Sequence, residues 1–368
     1  MASRSRSRSR TGRGGRRDDA VRWAAARVEL TTPFAHAEVV PEEGRPWRRL
    51  LRLDSEDCSH VDLRDPARID FAYVRRIADL ADALAPPRAP LRVLHLGGGG
   101  FTLPRYLEAT RPGSRSEVAE IDRGLVELAR EQLGLRTGPR LRVRVADARE
   151  VLRRRTPGSA DLVVLDAFHG TSVPEHLTTA ECVAEAARAL APGGAFAANV
   201  IDVPPLPAAR ALTAAARAVF GDVAIVATRK VVRGRQGGNV VVLGAPGRLP
   251  LRELSRRALA GPVPELVVGG DELTAWLGGA KPLHDPPADA MAPGGPASDR
   301  VGDDATAAPA GPASDRVGTA PTVAPGGPTS DRVGDDATAA SGDRPPDDPA
   351  PAKLGRCGGS PGSGTRPS

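Results

Sequence analysis

The sequence predicts an α/β protein built on a parallel sheet covered by helices on both faces. Between Leu91 and Pro246, short apolar runs alternate with segments of helical periodicity. The runs are continuously apolar, as expected of strands buried on both faces. Several of them end in glycine or a single acid.

The elements follow in order. LRVLHLG (91–97) reads as strand one and FTLPRYLEAT as the helix after it. RSEVAEID (115–122) is strand two, followed by the strongly helical RGLVELAREQLGL. LRVRVAD (141–147) and DLVVLDAF (161–168) are strands three and four. TTAECVAEAARALAPGG is a helix closed by its Pro-Gly-Gly stop, and AFAANVID (195–202) is strand five. A helix over 206–219, a strand over 222–228 and a final strand NVVVLGAP (239–246) complete the set. The expected organisation is a small N-terminal β element over 44–80, a main domain over 81–250 and a C-terminal extension over 251–284. That extension reads as helical, with a packing element around Trp276.

Both ends read as disordered. The opening 1–19 is a Ser/Arg-rich arm whose first 17 residues hold seven arginines and no acid. The tail 285–368 is rich in Pro, Gly and Asp, and repeats GPASDRVG, GPASDRVG and GPTSDRVG with a 16-residue period. No unit of that repeat carries the apolar face a solenoid needs. The formal charge of +6 therefore resides mostly in the arm. It argues for loose, salt-sensitive nucleic-acid contact there at most, not for a nucleic-acid-binding core. Aromatic residues make up 3% of the chain, too few for a stacking platform. Cys58, Cys182 and Cys357 have no metal-ligand spacing, so no metal is expected. No apolar run approaches the ~20 residues of a membrane span, and the chain reads as soluble and cytoplasmic without a membrane partner.

Ligands of open α/β sheets sit at the carboxyl ends of the strands. Gly97, Gly98, Gly99 and Gly100 follow strand one and open a helix, where backbone can approach a ligand closely. Glu120 ends strand two, 23 residues after Gly97, placed to accept both hydroxyls of a ribose. Asp122 reads as a surface acid or helix cap. Asp147 and Ala148 end strand three, where the carboxylate suits an exocyclic adenine amine and the next amide a ring nitrogen. Asp166 ends strand four. Together these define a nucleoside site on a Rossmann-like fold of the S-adenosylmethionine methyltransferase type. NAD is the minor reading, because Thr102 stands where G-x-G-x-x-G needs its last glycine.

VLHLGGGGFTLPRYL, AEIDRGLVELAREQLGL, VRVADAREVL and SADLVVLDAFHG…VPEHLTTAECVAEAARALAPGGAFAANV together resemble the spermidine synthase (polyamine aminopropyltransferase) family over about residues 47–245. LLRLDS resembles its first hairpin, and the likeness runs to an actinobacterial-type, spermidine synthase-like branch. The resemblance implies aminopropyl transfer from decarboxylated S-adenosylmethionine to a small-molecule amine or other nucleophilic acceptor. It implies Gly97 to Gly99 beside the methionine-derived chain, Glu120 on the ribose, Asp147 with Ala148 on the adenine, and Asp166 near the reacting amine. It also implies a homodimer.

The departures lie on the acceptor side. The family's GGGDG reads Gly-Gly-Gly-Gly here, with Gly100 then Phe101. Its Asp-x-x-Asp second acid is His169, its glutamine after the first LDG gives way to Cys58 or a neighbour, and its Asp-Glu…Tyr stretch reduces to Asp65-Pro66 with Tyr73 beyond. His169 is a candidate general base beside Asp166, or a loop histidine. His176 reads as structural, and His60, Tyr73 and Tyr106 are candidates to line the acceptor pocket. Three functions remain open: an aminopropyltransferase, an S-adenosylmethionine-dependent small-molecule methyltransferase, and a non-catalytic nucleoside-binding protein.

Overall fold

The computed structural model describes residues 27–287. The arm assigned to 1–19 and all of the repeat tail beyond residue 287 lie outside the described residues. Among the described residues, no helix is long and apolar enough to cross a membrane.

The chain opens with a four-stranded antiparallel sheet, β1 (Val28–Thr31), β2 (His36–Glu42), β3 (Arg45–Leu53) and β4 (Glu56–Asp62), in that spatial order. It begins well before the predicted 44–80 element. Each missed strand is short or half-exposed, and Glu29 and Glu38 interrupt what apolar signal it has. The β3–β4 turn is the two-residue Asp54-Ser55, both at positive φ (50° and 71°), as the twist of a tight hairpin demands. One face of this sheet, through Ala37, Val39, Leu51 and Val61, packs on Val118, Leu125 and Val126 of the main domain. Helix α1 (Ala72–Leu84) then crosses to the large sheet.

That sheet has eight strands: β5 (Arg92–Leu96), β6 (Arg115–Glu120), β7 (Leu141–Val145), β8 (Ala160–Leu165), β9 (Leu190–Asp202), β10 (Asp222–Thr228), β11 (Gly238–Ala245) and β12 (Glu265–Gly269). Their spatial order is β12-β10-β11-β9-β8-β5-β6-β7. β7, β6, β5, β8 and β9 are parallel. β11 runs antiparallel to both β9 and β10, and β12 antiparallel to β10, so the fully parallel sheet predicted from apolarity is corrected on this side. Burial on both faces makes a strand apolar whatever its direction, which is why direction was invisible.

Alternation along the strands builds two cores. Val93, Leu162, Val164, Ala195 and Ala197 face α1, α2 (Thr102–Thr110) and α8 (Leu251–Leu259). Leu94, Leu96, Val163, Leu165 and Phe196 face α4 (Ala148–Arg153), α5 (Ala180–Ala189) and α6 (Pro207–Val219). α3 (Arg123–Gln132) follows β6 and packs under the small sheet. A short helix α7 (Arg229–Val232) follows β10. The C-terminal extension is α8, strand β12 and α9 (Gly270–Leu277), not helix alone. It continues past residue 284: the Leu283 carbonyl accepts from Ala180 N–H (2.8 Å), and the Glu181 carboxylate accepts from the Asp285 amide (3.0 Å).

Candidate active site

The parallel strands deliver Gly97, Glu120, Asp147 and Asp166 to one edge of the sheet, around a cavity of about 630 Å³. All four positions expected from sequence line it, with Gly99, Ala148 and His169. Gly97 has φ +105°, and a Cβ there would sit 2.2 Å from the Asp166 carbonyl oxygen. Only glycine fits between the ends of β5 and β8. Gly98 donates its amide to Glu120 Oε2 (2.9 Å), so the glycine loop and the second strand end are locked together.

Glu120 is buried and also accepts the Asp122 amide at Oε1 (2.9 Å). Burial raises its pKa above the ordinary value, against the lowering effect of those two amides. A carboxylate has about four lone-pair positions, so both oxygens keep capacity for ribose hydroxyls. Asp122 caps α3 through Leu125 N–H and accepts the Thr32 hydroxyl (2.6 Å), tying the first strands to this corner.

Asp147 caps α4, with Oδ1 accepting the amides of Arg149 (2.9 Å) and Glu150 (3.0 Å). Its Oδ2 meets His176 Nε2 at 2.9 Å. Burial pushes its pKa up, but the Glu150 amide, His176 and the Arg149 amide outweigh that and hold it low. His176 thus joins the Asp147 end of the cavity, a place its sequence position gave no sign of. Behind it, buried Arg149 bonds both oxygens of Asp285 (2.6 Å each), both of Glu185 (3.1 and 3.3 Å) and the His176 carbonyl (2.9 Å). One guanidinium fastens the His176 loop to the C-terminal segment.

Asp166 faces the cavity with protein packed round its other sides. Asn199 Nδ2 donates to Oδ1 (3.0 Å), and Asn239 Nδ2 donates to Asn199 Oδ1 (3.0 Å). The Tyr73 hydroxyl donates to the Cys58 carbonyl (3.5 Å) and sits close enough to Asp166 to lower its pKa. Burial lifts the Asp166 carboxyl to about 6, against the lowering effect of Asn199 and Tyr73. Burial and the Asp166 charge push the Cys58 thiol to about 12, so it is inert at neutral pH.

Of the histidine and tyrosine candidates, Tyr73 reaches the site. His169 lines the cavity mouth on an exposed loop, its backbone bridged to Ser172. His60 instead pairs with Asp70 (2.8 Å), and Tyr106 donates to Asp82 (2.7 Å), both away from the cavity lining. Asn199 and Asn239 escaped the sequence reading. Asn199 is a polar residue near the carboxyl end of an apolar strand, which is a usable signal. Asn239 reaches the site only because β11 runs backwards. Gly100, where the family's acid is expected, donates its amide to Ser59 Oγ (3.1 Å). A Cβ there would lie 2.5 Å from the Ser59 Cβ, so no acidic side chain fits.

No family model matches the chain. A polyamine aminopropyltransferase of Vibrio vulnificus is 33% identical over 169 residues, 45% of this chain and 54% of that protein. One of Chromobacterium violaceum is 29% identical over 162 residues, 44% of this chain and 60% of that protein. The chain thus matches little more than half the length of these curated relatives. The crystal structure of a probable spermidine synthase from Corynebacterium glutamicum superposes with a TM-score of 0.68 at 30% identity, over 73% of this chain and 100% of that one. The chain belongs to the spermidine synthase family.

Proposed function

We propose that this protein is an aminopropyltransferase that takes decarboxylated S-adenosylmethionine as donor and an amine as acceptor. Asp166 carries the reading: it is a cavity-facing carboxylate, held by Asn199 and Tyr73, beside a glycine loop that admits a ligand's chain. Glu120 takes the ribose, and Asp147, Ala148 and His176 take the adenine. Gly97 and Gly99 line the cavity beside the donor's aminopropyl arm, and Gly98 acts behind them by donating its amide to Glu120.

The chemistry asked of the protein is limited. An acceptor ammonium gives one proton to ionised Asp166 and becomes a nucleophile. Its nitrogen lone pair forms a C–N bond to the aminopropyl carbon attached to sulfur. The C–S bond breaks, its electron pair stays on sulfur, and neutral methylthioadenosine leaves. The sulfonium supplies the activation, so positioning and proton removal are the protein's contribution. In this reading the proton leaves to water past His169 at the mouth.

The test is turnover of the full chain with decarboxylated S-adenosylmethionine and a panel of amines, read as methylthioadenosine formed. Amine-dependent release that Asp166→Asn lowers by about 10²-fold or more supports the assignment. Methyl transfer from S-adenosylmethionine, or turnover untouched by Asp166→Asn, overturns it.

A further inference from the structure

We infer that the acceptor is a primary monoamine with an apolar body rather than a diamine. This rests on the aminopropyltransferase reading and names its substrate class. Three observations on the acceptor side point the same way.

The positions that carry acids in relatives cannot hold an ammonium here. Gly100 is packed against Ser59 with no space for a side chain. His169 replaces the second acid of Asp-x-x-Asp and stands exposed at the mouth. The floor beyond Asp166 is instead the Asn239–Asn199 amide pair, which is neutral and already internally bonded. Asn199 is 1% exposed, so its amide has no water to share with a ligand charge.

The walls around this floor are apolar. Phe71, Tyr73, Phe168 and Ile201 line the cavity. Ile201, paired across the sheet with Asn239, is 42% exposed, an unusual state for a strand residue of this core. An aliphatic or aryl group seated there would cover it, with its amine at Asp166.

Of the other acids lining the cavity, Glu120 and Asp147 are given to the nucleoside and Asp122 to the α3 cap, and the remaining four offer a desolvated second ammonium no partner. Asp54 accepts the His36 amide (2.9 Å) and Asp57 pairs with Arg52 (2.7 Å), both at the tip of the β3–β4 hairpin. Glu56 and Glu175 are exposed, where an ion pair contributes little. A diamine would leave one charge against the neutral Asn239–Asn199 floor and its apolar walls without a buried carboxylate partner, a penalty that a length-matched monoamine avoids.

The experiment compares n-hexylamine with 1,6-diaminohexane, which differ only in the terminal amine. Each is titrated calorimetrically into the full chain with methylthioadenosine present, and each is assayed as acceptor. Hexylamine is expected to bind, and to have a kcat/KM, at least about tenfold better. Asn239→Asp, which puts a carboxylate into the part-buried floor, is expected to narrow that ratio by about tenfold by favouring the diamine. Equal or better binding of the diamine overturns the inference while leaving aminopropyl transfer standing. Binding of neither amine also overturns it. If methylthioadenosine does not bind, or no amine of the wider panel is turned over, the proposed function fails. The amine titrations without nucleoside then still read the acceptor preference.

Discussion

Asp166→Asn should make the protein more stable at neutral pH while disabling it. The carboxyl rises from an ordinary 3.8 to about 6 on folding because burial disfavours its charge. A group with a raised folded pKa binds more protons folded than unfolded between those values, so it erodes stability as pH climbs through about 4–6. At about 1.4 kcal/mol per pH unit, the ionised form costs the fold about 3 kcal/mol by pH 8, and well under 1 kcal/mol at pH 4. Asparagine removes that cost and retains the contacts: its oxygen accepts from Asn199, and its amide donates to the Tyr73 hydroxyl. Thermal melts of wild type and Asp166→Asn across pH 4–8 should show the variant's advantage growing with pH, by about 5–10 °C at the top of the range. A gap that does not depend on pH, or a variant less stable at pH 8, refutes the burial argument. Wild-type kcat/KM should fall with unit slope below about pH 6, where Asp166 becomes protonated and unable to accept.

Two further outcomes follow from the geometry. Gly97→Ala drives a Cβ to 2.2 Å from the Asp166 carbonyl at a φ of +105°; the β5 and β8 ends must part, and methylthioadenosine affinity, read by calorimetry, should drop by about 10²-fold or more. Unchanged affinity would show that the loop is not the cradle. Arg149→Ala strands Asp285 and Glu185, which are 29% and 22% exposed and so partly relieved by water. The expected loss is about 2–3 kcal/mol, seen as a melting temperature about 4–12 °C lower. Arg149→Lys should restore little, because it cannot bridge two carboxylates bidentately; a full rescue would mean charge alone suffices.

The strand-end half of the cavity was legible because it follows from parallel strands. Once Gly97, Glu120, Asp147 and Asp166 are read as strand ends, their convergence is automatic. The acceptor half depends on what periodicity does not encode. Asn239 begins a strand, so a parallel reading sends it to the opposite edge of the sheet; only the reversal of β11 brings it to Asn199. Tyr73 opens α1 and reaches Asp166 through the packing of that helix. β1 and β2 were missed because a half-exposed strand such as VELT looks like loop. Asp285 was grouped with a tail of similar composition, and nothing local to it announces a bond to a residue 136 positions away.

The contact between Ser59 and Gly100 has a consequence for how the chain can be divided. Composition and topology both suggest a seam between the small sheet and the Rossmann-like domain, and a truncation or fusion would naturally cut there. Yet the Gly100 amide hands its proton to a side chain from across that seam, and the Cys58 sulfur lies 3.6 Å from where a Gly99 Cβ would be. Cutting away the hairpin would uncap the loop that shapes the cavity and open it to solvent. The two sheets should therefore unfold together, with the topological boundary running through the middle of a single cooperative unit.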